Sequence, residues 1–541
     1  MKRRDILLRE LQSGRHTFDV VVVGGGITGA GIAREAAGSG LKTLLVEQKD
    51  FAWGTSSRSS KMVHGGLRYL GSGQYRLTRD AVTERQRLMA EAPGLIEPLR
   101  FIMPHFQRQF PGPRLFQILL RIYDWISRSK SRHFLTPGET LQWVPGLNTE
   151  KMTGASGFTD AVTDDARLVQ RVIAEACHDG AWCLNYLKAA RVIRTDGQVS
   201  GLELQAEGNA QPFTVDSPLV INATGVWADR LQQPESDEQP MTIRPLRGSH
   251  LVLPWQTLPV SCSVSLFHPD DKRPVFAFPW AGTTVLGTTD LDHKEDLDIE
   301  PRTSSEEVDY LLRISSRLFP SAVVTKRDVL STWAGVRPVV TSAQKTAESK
   351  TPSKESREHE FREDKGLISI AGGKLTTFRL IAREALTRGM STKDRLRPER
   401  DPVFRPTPSP EKPGNISHQN WQRLVGFYGS DLPSVLKAGP LEPVQPDTAS
   451  GPIPGELLWA EVIWACEQES VTHLDDLMLR RTRLGLILPH GGKLLLPKLR
   501  QYCQSALSWA DEQWCAEEAR YLALWREAYS LPLQPGLSHA F

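Results

Sequence analysis

The sequence has few cysteines, almost no net charge and no long apolar run, and each shortage excludes something. The six cysteines, Cys177, Cys183, Cys262, Cys466, Cys503 and Cys515, form no C-x-x-C pair and no closely spaced Cys/His set. Neither a disulfide framework nor a metal site is predicted, and the thiols read as reduced and mostly buried. Net charge is +3, from 66 basic and 63 acidic residues, too balanced to predict a nucleic-acid partner. No stretch approaches the roughly 20 apolar residues of a membrane span. The opening MKRRDILLRELQSGRH is basic but charged throughout, without the apolar core of a secretory signal, so a cytoplasmic location is expected. What is there is ordinary soluble usage, 40% hydrophobic and 24% charged, over 541 residues. That length predicts two or more domains.

FDVVVVG (18–24) is a β-branched run bounded by glycine, as expected of a strand buried on both faces of a parallel sheet. Helical spacing follows from Ile27 to Ala37, Gly38 and Gly40 stop it, and KTLLVE (42–47) supplies a second strand. Further strand-like runs, PLVINA (218–223) and GLISIA (366–371), lead into the glycine turns ATG and AGGK, so the nucleotide fold is expected to be discontinuous. Between them, alternating apolar and polar positions over 241–290 predict an inserted antiparallel sheet roofing a pocket. Pro398, Pro402, Pro406, Pro408, Pro410 and Pro413 exclude a regular helix over 394–414, which reads as a linker. From Trp421 the pattern is helical, with no catalytic cluster.

The expected fold class is therefore α/β. It comprises a Rossmann-like dinucleotide-binding domain with an inserted antiparallel β substrate domain (18–393, insert about 241–330), then a C-terminal α-helical domain (415–541).

Gly24-Gly25-Gly26-Ile27-Thr28-Gly29 fits G-x-G-x-x-G directly after a strand and at the start of a helix. Gly24 permits the tight turn, Gly26 lets the backbone approach a pyrophosphate, and Gly29 lets helix and strand close on each other. Glu47 ends the second strand, about 20 residues on, where a carboxylate accepts from ribose hydroxyls. Two distant segments favour FAD over NAD. One is the hydroxyl-rich loop Thr55-Ser56-Ser57-Arg58-Ser59-Ser60-Lys61, suited to a phosphate and ribityl chain. The other is Gly372-Gly373-Lys374-Leu375-Thr376-Thr377, a turn opening a helix whose positive end suits the electron-rich edge of a flavin. Each read alone is also compatible with an ordinary polar loop or a strand-to-helix connection.

These residues resemble the FAD-dependent glycerol-3-phosphate dehydrogenase family. The likeness is carried by VVGGGITGAGIAREAAGSGL, TSSRSSKMVHGGLRYL, GFTDAVTDDARLV, INATGVWA, RGSHLVLP, FPW followed by LGTTD, WAGVRPVV, SREH and AGGKLTTFR, with LDDLMLRRTRLGL (474–486) beyond the linker. The resemblance implies FAD as cofactor and oxidation of sn-glycerol 3-phosphate to dihydroxyacetone phosphate, with electrons passed to a membrane quinone.

A phosphorylated alcohol calls for fixed cations and a base. Arg337 in AGVRP is the first candidate for the phosphate, since a guanidinium there can grip two oxygens. Arg68 and Lys374 resemble the family's other cationic substrate contacts, and Tyr69 supports the same pocket. His64, before two glycines, is the proposed base; the alternative is a histidine that only bonds the flavin. His250 is a weaker candidate and His359 a further one. The cofactor set is Gly24, Gly26, Gly29, Glu47, Thr55, Ser56, Ser60, Lys61, His64, Gly65, Gly225, Gly373, Lys374, Leu375 and Thr376. Two departures from the family stand out: Thr28 where asparagine is frequent, and Gly71-Ser72-Gly73 where an acid commonly follows HGGLRYL, which leaves substrate preference open.

Residues 105–133 hold Arg108, Arg114, Arg121, Arg128, Lys130 and Arg132 against one acid, Asp124, interleaved with aromatic and aliphatic residues. This composition suits a helix lying in a bilayer interface, as well as one docked on its own core. With the resemblance it predicts peripheral attachment to the cytoplasmic face of the inner membrane. A homodimer is left open. The rival readings are a same-fold oxidase using O2, an enzyme acting on another hydroxy acid or an amine, and a flavoprotein whose FAD is structural.

Overall fold

The computed structural model describes residues 3–71, 73–208, 211–231, 241–268, 270–341, 359–390, 396–406, 410–445 and 456–532, without the side chains of Arg3, Arg68 and Thr341. The first sheet is built on Val20–Val23. Thr43–Val46 and Val220–Asn222 pair with it in parallel on either side, Trp182–Leu184 extends one edge, and Leu367–Ala371 followed by Glu360–Asp364 extends the other. Strand periodicity feeds two cores. Val20, Val22 and Leu45 face the helices Ile27–Gly38, Asp165–His178 and Phe378–Gly389, whereas Val21, Val23, Leu44 and Val46 face a three-stranded sheet of Leu187–Thr195, Gln198–Ala206 and Phe213–Asp216. Burial on both faces is why the sequence runs as unbroken valine and leucine rather than alternating.

The second sheet, ten strands among the described residues, is the one expected to form the substrate domain. The expected insert contributes Thr242–Pro254, Ser263–Phe267, Pro274–Trp280, Thr283–Gly287 and Leu291–Asp292. The sheet also takes Ile96–Phe106, Met152–Thr163, His133–Leu135 and Met62–Val63 from earlier in the chain, and Ser331–Thr341 after it. The substrate domain is thus assembled from several excursions out of the nucleotide fold, not from 241–330 alone. Long-range pairing of Ile96–Phe106 with Met152–Thr163 spans the helices Pro113–Ser127 and Pro137–Trp143 and leaves no local periodic signal to connect the two.

The proline-rich segment is irregular, as its composition requires, yet in its described part it is docked rather than free. Val403 and Phe404 are buried against the nucleotide domain, Arg34 Nε donates to the Val403 carbonyl at 2.8 Å, and Glu91 accepts from Val403 N–H at 2.7 Å. The C-terminal part is helical, with His418–Tyr428, Trp459–Gln468, Leu496–Leu507 and Asp511–Ala528 and a π-helical turn at Asp476–Arg481. That turn falls inside LDDLMLRRTRLGL.

Candidate active site

The glycine loop leaves the end of Val20–Val23 with Gly24 at φ +111°, a conformation open to glycine. A Cβ on Gly29 would stand 1.8 Å from the Gly24 carbonyl oxygen, so helix and strand close here only without a side chain. The Ile27–Gly38 helix has no cap from its own N-cap residue. Instead Ser56 Oγ accepts from Ile27 N–H at 3.0 Å, which brings the hydroxyl-rich loop across the helix N-terminus where a pyrophosphate would bind. Glu47 closes the other side. Its carboxylate accepts from Gly25 N–H at 2.7 Å and Lys49 N–H at 2.8 Å, keeps lone pairs for further donors, and is pushed up in pKa by burial. Gly225, at φ +64°, opens the single turn after Val220–Asn222. Gly372 and Gly373, both at positive φ, turn the chain from Leu367–Ala371 into Leu375–Thr377, where Thr376 is buried. The glycine loop, Glu47, the Gly225 turn and the Gly372-Gly373 turn thus all follow parallel strands of one sheet, at the carboxyl ends where such folds bind dinucleotides.

Other loop residues have structural partners. Thr55 Oγ1 donates to the Val336 carbonyl, and Ser60 Oγ is 2.9 Å from His250 Nε2. Lys61 is completely buried, with its ammonium on Asp165 at 2.8 Å and the Ser57 carbonyl at 2.7 Å, and burial draws its pKa down to about 8. Through Thr55 and Ser60 the loop is fastened to the substrate sheet, one residue from Arg337 and directly at His250.

The candidate substrate residues fall into two groups bordering that loop. His64, Tyr69 and Lys374 form one. The His64 and Tyr69 rings are 6.4 Å apart, the Lys374 ammonium lies 3.5 Å from the Tyr69 ring centre, and Thr376 Oγ1 donates to the His64 carbonyl at 3.3 Å. Arg68 lies in the short helix Leu67–Gly71 beside Tyr69, with its side chain outside the described residues, as is Ser72. Arg337 and His250 form the other. Arg337 Nη1 bonds Asp290 Oδ1 at 3.1 Å, its Nη2 is 3.4 Å from Thr288 Oγ1, and a Cβ on Gly248 would stand 2.5 Å from Nη2. His250 is buried, stacked on Trp333 at 4.9 Å, and burial with the Lys61 and Arg337 charges holds its pKa well below the usual histidine value, so its ring is neutral. His359 pairs with Glu384 at 3.1 Å; the other three residues of SREH lie outside the described residues.

Sequence reasoning did not single out what stands under His64. Gly65 N–H donates to Asp160 Oδ1 at 3.1 Å, Asp160 also accepts from Tyr123 Oη at 2.6 Å, and Arg85 reaches both Asp160 and Tyr123. The Tyr123 hydroxyl occupies the space of a Gly65 Cβ, only 2.0 Å away. Asp160 lies in GFTDAV, within one of the family-like motifs, and an acid amid apolar strand residues was the one available signal. Asp290, in LGTTD, was likewise legible as a motif but not as the partner of Arg337.

Tyr123 comes from the helix Pro113–Ser127, whose two faces differ sharply. Phe116, Leu120 and Tyr123 are buried. Arg114, Leu115, Ile118, Arg121, Trp125 and Arg128 are exposed, Trp125 by 80%. The only acid, Asp124, is turned inward, where it accepts from Ser129, Ser131 and the Arg132 N–H. No helix among the described residues is long and apolar enough to cross a membrane.

Residues 19–384 match the FAD-dependent oxidoreductase family, and residues 368–514 match the C-terminal domain of alpha-glycerophosphate oxidase. The aerobic glycerol-3-phosphate dehydrogenase of Bacillus subtilis (strain 168) is 32% identical over 508 residues, covering 88% of this chain and 89% of the relative. The chain belongs to the FAD-dependent glycerol-3-phosphate dehydrogenase family. Within that family it is also similar to the alpha-glycerophosphate oxidase of Streptococcus pyogenes serotype M3 (strain ATCC BAA-595 / MGAS315), 31% identical over 95% of both chains. The structure of a family member from Bacillus halodurans, complexed with FAD, superposes with a TM-score of 0.74 at 27% identity over 100% of this chain and 99% of that one. The protein is a flavoprotein with FAD as its cofactor, and the glycine loop, Ser56 and Glu47 fit that group.

Proposed function

We propose that the protein oxidises sn-glycerol 3-phosphate to dihydroxyacetone phosphate and passes the electrons to a membrane quinone. The observation that carries this reading is that two cations from different parts of the fold flank the segment Thr55–His64, one at each end. Arg337 lies on the substrate sheet beside the Thr55 contact, and Lys374 lies on the nucleotide fold beside the Thr376–His64 contact. Bound FAD supplies the acceptor for the hydride. Arg337 grips the phosphate oxygens, its fork already set by Asp290 and Thr288. Lys374, steadied over the Tyr69 ring, holds a second phosphate or hydroxyl oxygen. His64 takes the substrate hydroxyl proton as the carbon–hydrogen bond opens, with its backbone fixed by Thr376 and by Asp160 through Gly65.

Quinone use is supported by the exposed basic and aromatic face of Pro113–Ser127, the composition of a helix that lies at headgroup depth on an anionic membrane. The likeness to an oxidase keeps O2 as the second reading of the acceptor.

The test is anaerobic addition of glycerol 3-phosphate to the holoenzyme, followed at the visible absorption of oxidised flavin. Rapid bleaching by glycerol 3-phosphate and none by glycerol is expected. A flavin that stays oxidised removes the substrate assignment. Reoxidation by a short-chain quinone much faster than by air is expected, and the reverse order favours the oxidase.

A further inference from the structure

The C-terminal helical domain touches the segment from Asp50 to Lys61 at three separate places, all buried. Arg480 and Arg481 close on Asp50, with Arg480 Nε at 2.5 Å and both Arg481 terminal nitrogens at 2.7 Å. Arg483 Nη1 donates to the Ser57 carbonyl at 3.3 Å, and the same guanidinium bonds Asp164 at 2.9 Å and Asp165. Asp165 in turn accepts from Lys61 Nζ, from Ser59 N–H at 2.9 Å and from Ser59 Oγ at 2.7 Å. At the far end of the domain, Tyr529 Oη accepts from Arg58 Nε at 3.4 Å and Nη2 at 3.3 Å, and donates to Glu300 of the substrate domain. The Tyr529 carbonyl also takes the Thr332 N–H at 2.7 Å, on the strand that carries Arg337.

Arg58, Lys61, Asp50, Arg480, Arg481 and Arg483 are each no more than 4% exposed. Burying so many charges is expensive, and a buried ion pair contributes little net stability over a well-packed apolar pair. What such a network does supply is geometry, because few arrangements bring so many buried donors to an acceptor. Here the observed arrangement fixes the loop that lays Ser56 across the helix N-terminus. Arg483 sits at φ +63°, a left-handed conformation unusual for arginine, held by its many acceptors.

We propose that the C-terminal domain holds the FAD-binding loop in its binding-competent shape, with Arg483 and Tyr529 as positioning residues acting through Asp165 and Arg58. The inference rests on the assignment of Thr55–Lys61 to the cofactor. It gives the domain a task in cofactor retention rather than in the chemistry, in keeping with a sequence that carries no catalytic cluster there.

The experiment measures FAD release from the diluted holoenzyme as recovery of free-flavin fluorescence, beside the melting temperature, in Tyr529→Phe, Arg483→Lys, Tyr521→Phe and Ser56→Ala. Tyr521→Phe is the control. Tyr521 too is buried in the same domain, but among the described residues its hydroxyl bonds the Gly491 carbonyl alone, at 2.6 Å. Tyr529→Phe and Arg483→Lys are expected to speed FAD release roughly tenfold or more, and Tyr521→Phe to lower the melting temperature with release unchanged. If Tyr529→Phe and Arg483→Lys release FAD at the wild-type rate while Ser56→Ala releases it faster, the positioning role is overturned. It is overturned equally if all three domain variants speed release in proportion to their loss of melting temperature. If Ser56→Ala also leaves release unchanged, the loop assignment itself fails.

Discussion

Replacing Gly65 by alanine tests whether the turn after His64 is held as tightly as its surroundings imply. The added Cβ would lie 2.0 Å from Tyr123 Oη and 2.6 Å from Val82 Cγ2, against an ordinary contact of about 3.5–4 Å, so the two sides must part by more than ~1 Å. Tyr123 cannot swing away freely. It is fully buried, and its hydroxyl is bound at 2.6 Å by the same Asp160 that takes the Gly65 N–H. Overpacking of this kind costs about 1–3 kcal/mol in stability. A shift of about 1 Å in His64, the proposed base, costs on the order of a hundredfold in rate.

The assay is kcat/KM for glycerol 3-phosphate with a dye acceptor, on protein whose FAD content is matched by visible absorption. Gly65→Ala is expected to lose on the order of a hundredfold while retaining FAD. Gly65→Ala/Tyr123→Phe is expected to recover part of the loss, since the nearest atom is gone while the Tyr123 ring carbon at 2.8 Å and Val82 remain. Tyr123→Phe alone costs about 1 kcal/mol in stability through its lost hydrogen bond. A Gly65→Ala enzyme with more than half the wild-type activity, or a double variant no better than the two single effects added, would refute the reasoning.

Three further outcomes follow from the same structure. Arg337→Lys keeps the charge but loses the fork, so KM for glycerol 3-phosphate is expected to rise by roughly ten- to a hundredfold with the flavin spectrum unchanged, and steady-state kinetics at matched FAD check it. The His473 ring lies between Glu517 at 2.8 Å and Glu207 at 3.2 Å, and these carboxylates, overcoming its partial burial, raise its pKa to about 10. Because the folded value lies above the ordinary 6.5, its stabilisation is complete below about pH 6.5 and drains away as pH rises towards 10; melting of wild type against His473→Gln should therefore converge between pH 6 and about 10, and a constant gap counts against it. Trp125→Glu on the exposed face of Pro113–Ser127 is expected to abolish co-sedimentation with anionic vesicles at low salt while leaving activity towards a soluble dye intact, and undiminished sedimentation rules out that face as the contact.

The sequence by itself determined the nucleotide fold, because its signals are local. A valine run, three glycines at fixed spacing and an acid at the end of the next strand each require their neighbours within about 30 residues, and backbone sterics give that pattern one meaning. Lys374 and Arg337 stood out as candidates for the same reason, as cations in rigid glycine and proline settings. The tertiary structure alone decided what converges across long separations: Asp160 and Tyr123 beneath Gly65, Asp290 on Arg337, and the C-terminal arginines on Asp50 and Asp165. A buried charge finds its partner through packing and desolvation, which act between segments far apart in the chain, and no periodicity in the sequence records them. Lys61 makes the point in one side chain. In the sequence it is a cation in a phosphate-coating loop, and in the fold it is a buried ammonium on Asp165, tying that loop to the helix behind it.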